Sequence, residues 1–350
     1  MIWLTWRRFR AQAWAALGGL AALAAVLAVT GPRLAHLHAS SGLDTCAAAG
    51  DCIAAQRAFA AGVKADDVYP LVFFAGIALV YLAPVLIGLF WGAPLLSREL
   101  EAGTFRLVWT QSVGRVRWLA VMLGLAGGAA LLVTALLSWA ITRWSGPIDH
   151  ADGLPGADQG LDLPNRFIPL LFGARDLAPV GYAAFAFTVG VAAGALVRRT
   201  VPAMAVTLAV LAAVQLIVPT VVREHYRPAQ TALVPLTLDA GKPQAITIDG
   251  GSLTVSTPVS IPGGWIVSVR TVDPAGRPFT GPAPAICLDR ASTPTECDDA
   301  INQLHLQQLV AYQPGTRYWQ FQWYETSAYV LLALLLSGAL LRNVRRLRPV

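Results

Sequence analysis

Five stretches of this chain, 11–32, 68–97, 118–142, 177–197 and 200–222, carry no charged side chain. About 20 such residues, rising 1.5 Å each, cross a hydrocarbon core roughly 30 Å thick, where a helix satisfies its own backbone polar groups. A sixth run, 326–341, is short alone. It follows Tyr318, Trp319, Phe321, Trp323 and Tyr324, which suit the interfacial aromatic belt, with Glu325 at that boundary. Six spans are therefore expected. Only 13% of the 350 residues are charged. A soluble domain averages about 25%, which excludes a large soluble enzyme.

The basic residues Arg7, Arg8 and Arg10 before the first run also fit a signal peptide, but the apolar run is too long and the cleavage-like stretch 35–39 is poor. An uncleaved helix is the expectation. An even number of spans puts both termini on one side. That side holds residues 1–10, the 97–117 loop, Arg198, Arg199 and the basic tail 342–350. Together these carry 13 Arg against Glu99 and Glu101, a net of +11. The remaining segments carry 13 bases and 18 acids, a net of −5. The positive-inside rule makes the first side cytoplasmic. The excess of +6 over the whole chain is thus a topological signal towards membrane lipid, and no nucleic acid partner is expected.

The expected fold is mainly α: a polytopic membrane protein with six transmembrane helices and a small α/β extracytoplasmic domain between helices five and six. A cytoplasmic interfacial helix occupies 1–10. Spans one to five occupy 11–222, with outer loops at 33–67 and 143–176 and a cytoplasmic loop at 97–117. The outer domain occupies 223–325 and the sixth span 326–341. Within 33–67 the Ala-rich stretch 52–61 reads as a helix or two, and 167–172 as a short re-entrant or interfacial piece. Alternation at 245–248, 253–259 and 265–272 predicts antiparallel strands. The stretch 298–312 reads as a helix through Ile301, Leu304, Leu309 and Tyr312.

Cys46, Cys52, Cys287 and Cys297 all fall outside, where disulfides persist. Three connectivities exist, and the short separations favour Cys46 with Cys52 and Cys287 with Cys297. Zinc is the competing use of these cysteines. None of the five His sits at ligand spacing from a Cys, so no metal ligand is assigned. The spans as bounded contain no Asp, Glu, Lys, Arg or His, which disfavours proton-coupled transport and intramembrane catalysis. No HExxH or GxSxG occurs, and no catalytic residue is assigned. Neither Lys64 nor Lys242 stands in a Walker A loop, so the chain is not expected to be an enzyme. Any ATP and Mg would be bound by a partner subunit, and no cofactor by this chain.

The intramembrane polar residues Tyr81, Thr134, Ser138, Thr207 and Gln215 read first as helix-packing hydrogen bonds. Tyr81, Pro84, Thr207 and Gln215 are the candidates to line a pathway. Gly124 with Gly128, and Gly190 with Gly194, permit close helix approach, and Pro84, Pro94 and Pro219 are expected to kink their helices. In the 97–117 loop, Phe105, Leu107, Val108 and Trp109 among Arg side chains suit a brief amphipathic helix that lies on the bilayer or docks into a partner.

The loop Arg98-Glu99-Leu100-Glu101-Ala102-Gly103-Thr104, with Val113-Gly114-Arg115 beyond it, resembles the coupling loop of permeases of the type-two ABC exporter superfamily. More narrowly, the chain resembles actinobacterial ABC transporter permeases. Asn165-Arg166-Phe167, the run 195–204 and the segment 312–323 look similar to that group. The resemblance implies a permease subunit of an ATP-driven exporter, forming the pathway for an apolar or amphipathic substrate. Two permease copies, as a homodimer or heterodimer, would pair with cytoplasmic ABC ATPase subunits. It places Glu99, Glu101, Gly103 and Thr104 in the coupling segment, with Phe105, Arg106, Val108 and Trp109 in the turn that contacts the ATPase. The alternative is a non-transporting receptor or envelope assembly factor with a ligand-binding outer domain. A membrane enzyme acting through that domain lacks a catalytic constellation.

Overall fold

A charge-free run forms a helix in this chain, but tertiary packing decides where each helix stops. The computed structural model describes residues 2–49, 52–101, 114–154, 165–238, 245–249, 252–259, 261–289 and 293–346. Among these, six helices are long and apolar enough to span a membrane: Arg10–Ser40, Val68–Glu101, Val116–Asp152, Ala178–Val197, Thr200–His225 and Gly315–Asn343. The fourth is the axis of the bundle. Its most apolar window is 67% buried, against 11% for the first, and it packs on spans two, three, five and six. Span one leans mainly on span three.

Three helix boundaries differ from the sequence reading. The interfacial helix expected at 1–10 is continuous with the first span in one helix, Ile2–Ser40. Span three continues past residue 142 to Asp152, despite Pro147. Buried Trp144 donates its indole N–H to Thr30 Oγ1 at 2.9 Å, and Gln56 Nε2 bonds the carbonyls of Ala151 and Leu154 at the helix end. Those contacts to span one and to the helix Ile53–Ala65 hold the extra turns. The last helix, Tyr318–Arg346, takes in the whole aromatic cluster that precedes the sixth apolar run.

Spans two and five each contain a π-helical stretch near a proline. Pro84 precedes Ile87–Gly92, and Pro219 lies within Val218–Val222. A proline withholds its N–H, and a wider turn is one way for the freed carbonyls to find donors. One carbonyl in the first stretch, Phe90 O, accepts a 2.9 Å bond from Gln12 Nε2 of span one.

Close approach in the bundle is set by glycines of spans two and four. A Cβ on Gly190 would strike Gly88 O, Ala93 N and Gly92 Cα, and one on Gly194 would strike Ala93 O. Those neighbours are backbone and cannot swing aside. Gly124 and Gly128, by contrast, have open space where a Cβ would go.

The strands lie in 230–313. β1 (Gln230–Pro235), β5 (Gln307–Gln313) and β4 (Trp265–Val272) form an antiparallel sheet in that order, with Leu233 opposite Leu309 and Val269 opposite Val310. β2 (Ala245–Asp249) and β3 (Ser252–Ser256) form a hairpin. The helix expected at 298–312 is corrected: it runs Pro294–Asn302, and Leu309 and Tyr312 belong to the central strand β5. The alternation there is hidden because the buried positions include Gln308 and Gln313 as well as Val310. Gln308 exchanges bonds with Thr257, and Gln313 Nε2 donates to Arg227 O at 2.7 Å. Cys46–Cys52 and Cys287–Cys297 are both disulfides, the second joining the short helix Ala285–Leu288 to Pro294–Asn302.

Candidate functional site

Two clusters of polar side chains hold span five, one at each of its ends. The first is at its start, where the described part of span two ends. Glu101 Oε2 accepts from Thr200 N at 3.2 Å and from Thr200 Oγ1 at 2.9 Å. Ser97 Oγ lies 3.0 Å from the same hydroxyl and donates to Ala93 O one turn back. A carboxylate on the first amides of a helix satisfies an orphan N–H and meets the positive end of the helix dipole. Spans four and five are joined here by Arg198, in a left-handed conformation at φ 59°, and Arg199. Glu101 is solvent-exposed, so this latch is cheap to open.

Glu99, two residues earlier, points elsewhere. It is buried and lines a cavity of about 230 Å³ with Gln12, Trp91, Pro94, Arg98 and Met122. A larger cavity of about 500 Å³ shares Gln12, Phe90 and Trp91 with it, and is otherwise apolar, walled by Leu20, Leu82, Leu86, Val133 and Leu137. The two cavities thus meet along the π-helical stretch of span two, one polar at its end and the other greasy. Gln12 Oε1 is buried there without a hydrogen-bond partner among the described residues.

The second place is at the opposite end of span five, beside the sheet. Arg223 and Glu325 are both fully buried and form a two-pronged pair, Nε to Oε2 and Nη2 to Oε1, each 2.8 Å. Tyr182 of span four donates its hydroxyl to Glu325 Oε1, and Tyr226 donates to Oε2 at 3.3 Å. Arg223 Nη1 donates to Pro169 O at 2.8 Å, and the guanidinium lies 4.4 Å from the centre of the Phe172 ring. Burial first, and then the Glu325 carboxylate beside it, pushes the Tyr226 phenol above its ordinary range. Both charges are paired and each prong is satisfied, the condition under which a buried ion pair survives.

The same end is tied to the sheet by an aromatic cluster. Phe167 packs on Phe172, Trp265 of β4, Tyr318 and Phe321, and Asn165 Nδ2 donates to Gly264 O at 2.6 Å. Gln322 Oε1 accepts from Leu177 N and Ala178 N, so the sixth span caps the start of the fourth. The short helix Pro169–Phe172 falls within the piece singled out at 167–172.

Of the coupling residues picked from sequence, Glu99 and Glu101 are described as above, while Gly103, Thr104, Phe105, Arg106, Val108 and Trp109 lie outside the described residues. Among the pathway candidates, Tyr81 donates to Leu170 O at 2.8 Å and Thr207 bonds Ala203 O within its own helix. Pro84 is buried and Gln215 half-buried. None of the four lines either cavity. Thr134 and Ser138 bond Ala130 O and Asp176 O. Sequence reasoning passes over Arg223 and reads Glu325 only as a boundary residue. The one available signal is an acid on the wrong side of an aromatic belt.

Residues 17–223, more than half of the chain, match the family described as ABC-2 membrane transporter related. The chain belongs to that family. It is a multi-pass membrane protein with a permease role, and family members are membrane components that work with a partner ATPase and are not ATPases themselves. No curated protein matches the chain, and no solved structure does.

Proposed function

We propose that the chain is one of two permease copies in an ATP-driven exporter, paired with cytoplasmic ATPase subunits that bind ATP and Mg. Both termini face the cytoplasm and the sheet-bearing segment between spans five and six forms an extracytoplasmic domain, in keeping with the +11 and −5 charge partition. Membership of the actinobacterial branch belongs to the same reading. The observation that carries the proposal is the latch from Glu101 to Thr200. It joins the end of span two, where the coupling segment begins, to the start of span five. A push on residues 99–110 is thereby delivered to two spans at once. The paired cavities along span two suit an amphipathic substrate, with its polar group near Arg98 and Gln12 and its apolar part among the leucines.

The test is ATPase stimulation in the reconstituted complex with its partner ATPase. Glu101→Ala is expected to leave assembly intact and lower permease-stimulated ATP hydrolysis by up to about fivefold, as the loss of an exposed contact allows. Full stimulation in a normally assembled complex would overturn the assigned role.

A further inference from the structure

The geometry points to a divalent-cation site, of the Zn2+ class, formed by His38, Asp44 and His150. It is independent of the transport reading. The three residues come from three helices: the last turn of Ile2–Ser40, the first turn of Leu43–Ala49 and the last turn of Arg115–Asp152. His38 Nε2 and His150 Nδ1 are 3.0 Å apart, and one donor atom from each of the three residues lies within 4.8 Å of the others.

Two imidazole nitrogens and a carboxylate are a donor set that zinc takes, with a fourth position left for water. At metal–nitrogen distances of about 2.0–2.1 Å, tetrahedral donors sit roughly 3.3 Å apart, so the two rings need to open by only a few tenths of an ångström. Asp44 Oδ1 is 3.6 Å from His38 Nδ1, beyond a hydrogen bond. The carboxylate stands beside the ring nitrogen of His38 that does not face His150, and its side chain is 61% exposed, so binding needs Asp44 to turn towards the gap between the rings.

The surroundings hold the donors in place. His38 is mostly covered, its ring edge-on to Phe59 at 5.6 Å between centroids. Asp44 is two residues before the Cys46–Cys52 disulfide, which fixes the short helix that bears it. His150 and Asp44 are exposed, which leaves an entry path for a hydrated ion. A bound cation would staple the ends of spans one and three together, at the weakest-buried helix of the bundle. The competing account is a plain hydrogen bond between two neutral imidazoles, and it predicts no metal binding.

Full-length, tag-free protein in lipid nanodiscs, stripped with a chelator, is titrated with ZnCl2 by calorimetry. One equivalent is expected to bind. His38→Gln and His150→Gln are each expected to weaken that binding at least 100-fold, Asp44→Asn at least tenfold, and the control His225→Gln not at all. Thermal unfolding without zinc reports whether each variant is folded. Should a histidine variant fail to fold, zinc X-ray absorption on the wild-type protein decides: two imidazoles, oxygen and no sulfur at about 2.0–2.1 Å are expected. Absence of stoichiometric binding, unchanged affinity in a folded histidine variant, or a zinc shell with fewer than two imidazoles would overturn the proposal.

Discussion

Span five is held by a carboxylate at each of its ends, and the two attachments are built oppositely. Glu101 at one end is exposed and makes two bonds to a single threonine. Glu325 at the other end is fully buried, and is bonded by Arg223, Tyr182 and Tyr226. Separating the first pair replaces protein bonds with bonds to water at little cost. Separating the second would strand two charges away from water. In physical terms one end is a latch and the other a clamp, so a low-energy rearrangement of the bundle is expected to open the latch and keep the sheet end.

The contrast breaks most visibly at the clamp. Removing one partner of a buried ion pair costs about 3–5 kcal/mol. Glu325→Leu is expected to lower the thermal unfolding midpoint in detergent by far more than a substitution at the latch or at a glycine contact. The double variant Arg223→Met with Glu325→Leu is expected to recover much of that loss, because no unpaired charge remains. A single variant as stable as the wild type would show the pair to be reachable by water.

A middle-sized effect belongs to the contact between spans two and four. Gly190→Ala presses a methyl against three backbone atoms, an overpacking worth about 1–3 kcal/mol, whereas Gly128→Ala fills open space in a helix and is expected to be neutral or stabilising by up to about 1 kcal/mol. Unfolding midpoints of the two variants should move in opposite directions or by clearly different amounts. Equal shifts would mean that spans two and four are not in backbone contact.

The smallest effect lies away from the clamp, in the capping box of Pro294–Asn302, where the Thr293 amide and then its hydroxyl hold the exposed Glu296 carboxyl below the usual range. A lowered carboxyl stabilises the fold at pH above the ordinary glutamate value of about 4.3 and loses that contribution as pH falls through the lowered value. Glu296→Ala is therefore expected to lower the unfolding midpoint slightly at pH 7 and by progressively less as pH falls below the ordinary glutamate value. A difference that persists at low pH would rule out the carboxylate as its source.

Much of this architecture is readable from residues alone, and what is not readable shares one cause. Charge-free runs announce the six helices because a single segment satisfies all its backbone groups in lipid only as a helix. Short Cys separations likewise announce both disulfides. The extension of span three to Asp152 rests on Trp144 meeting Thr30, a contact 114 residues distant in sequence. The strand β5 is masked by buried glutamines whose partners, Thr257 and Arg227, are also remote. Arg223 and Glu325 lie 102 residues apart, each beside an apolar run where a single charge reads as a boundary marker. His38 and His150, 112 residues apart, cannot be joined by ligand spacing. Local pattern reports what a segment buries, and says little about which distant side chain satisfies it.

A span five latched at one end and clamped at the other is tested most directly by distances across both ends. Spin labels at Arg98→Cys and Val201→Cys report the latch end, and labels at Val221→Cys and Trp319→Cys the clamp end, the last three being exposed positions. With the partner ATPase bound in nanodiscs, adding a non-hydrolysable ATP analogue is expected to shift the distance distribution between 98 and 201 and leave that between 221 and 319 in place. A shift at the clamp end as large as that at the latch end, or none at the latch end, would contradict the account.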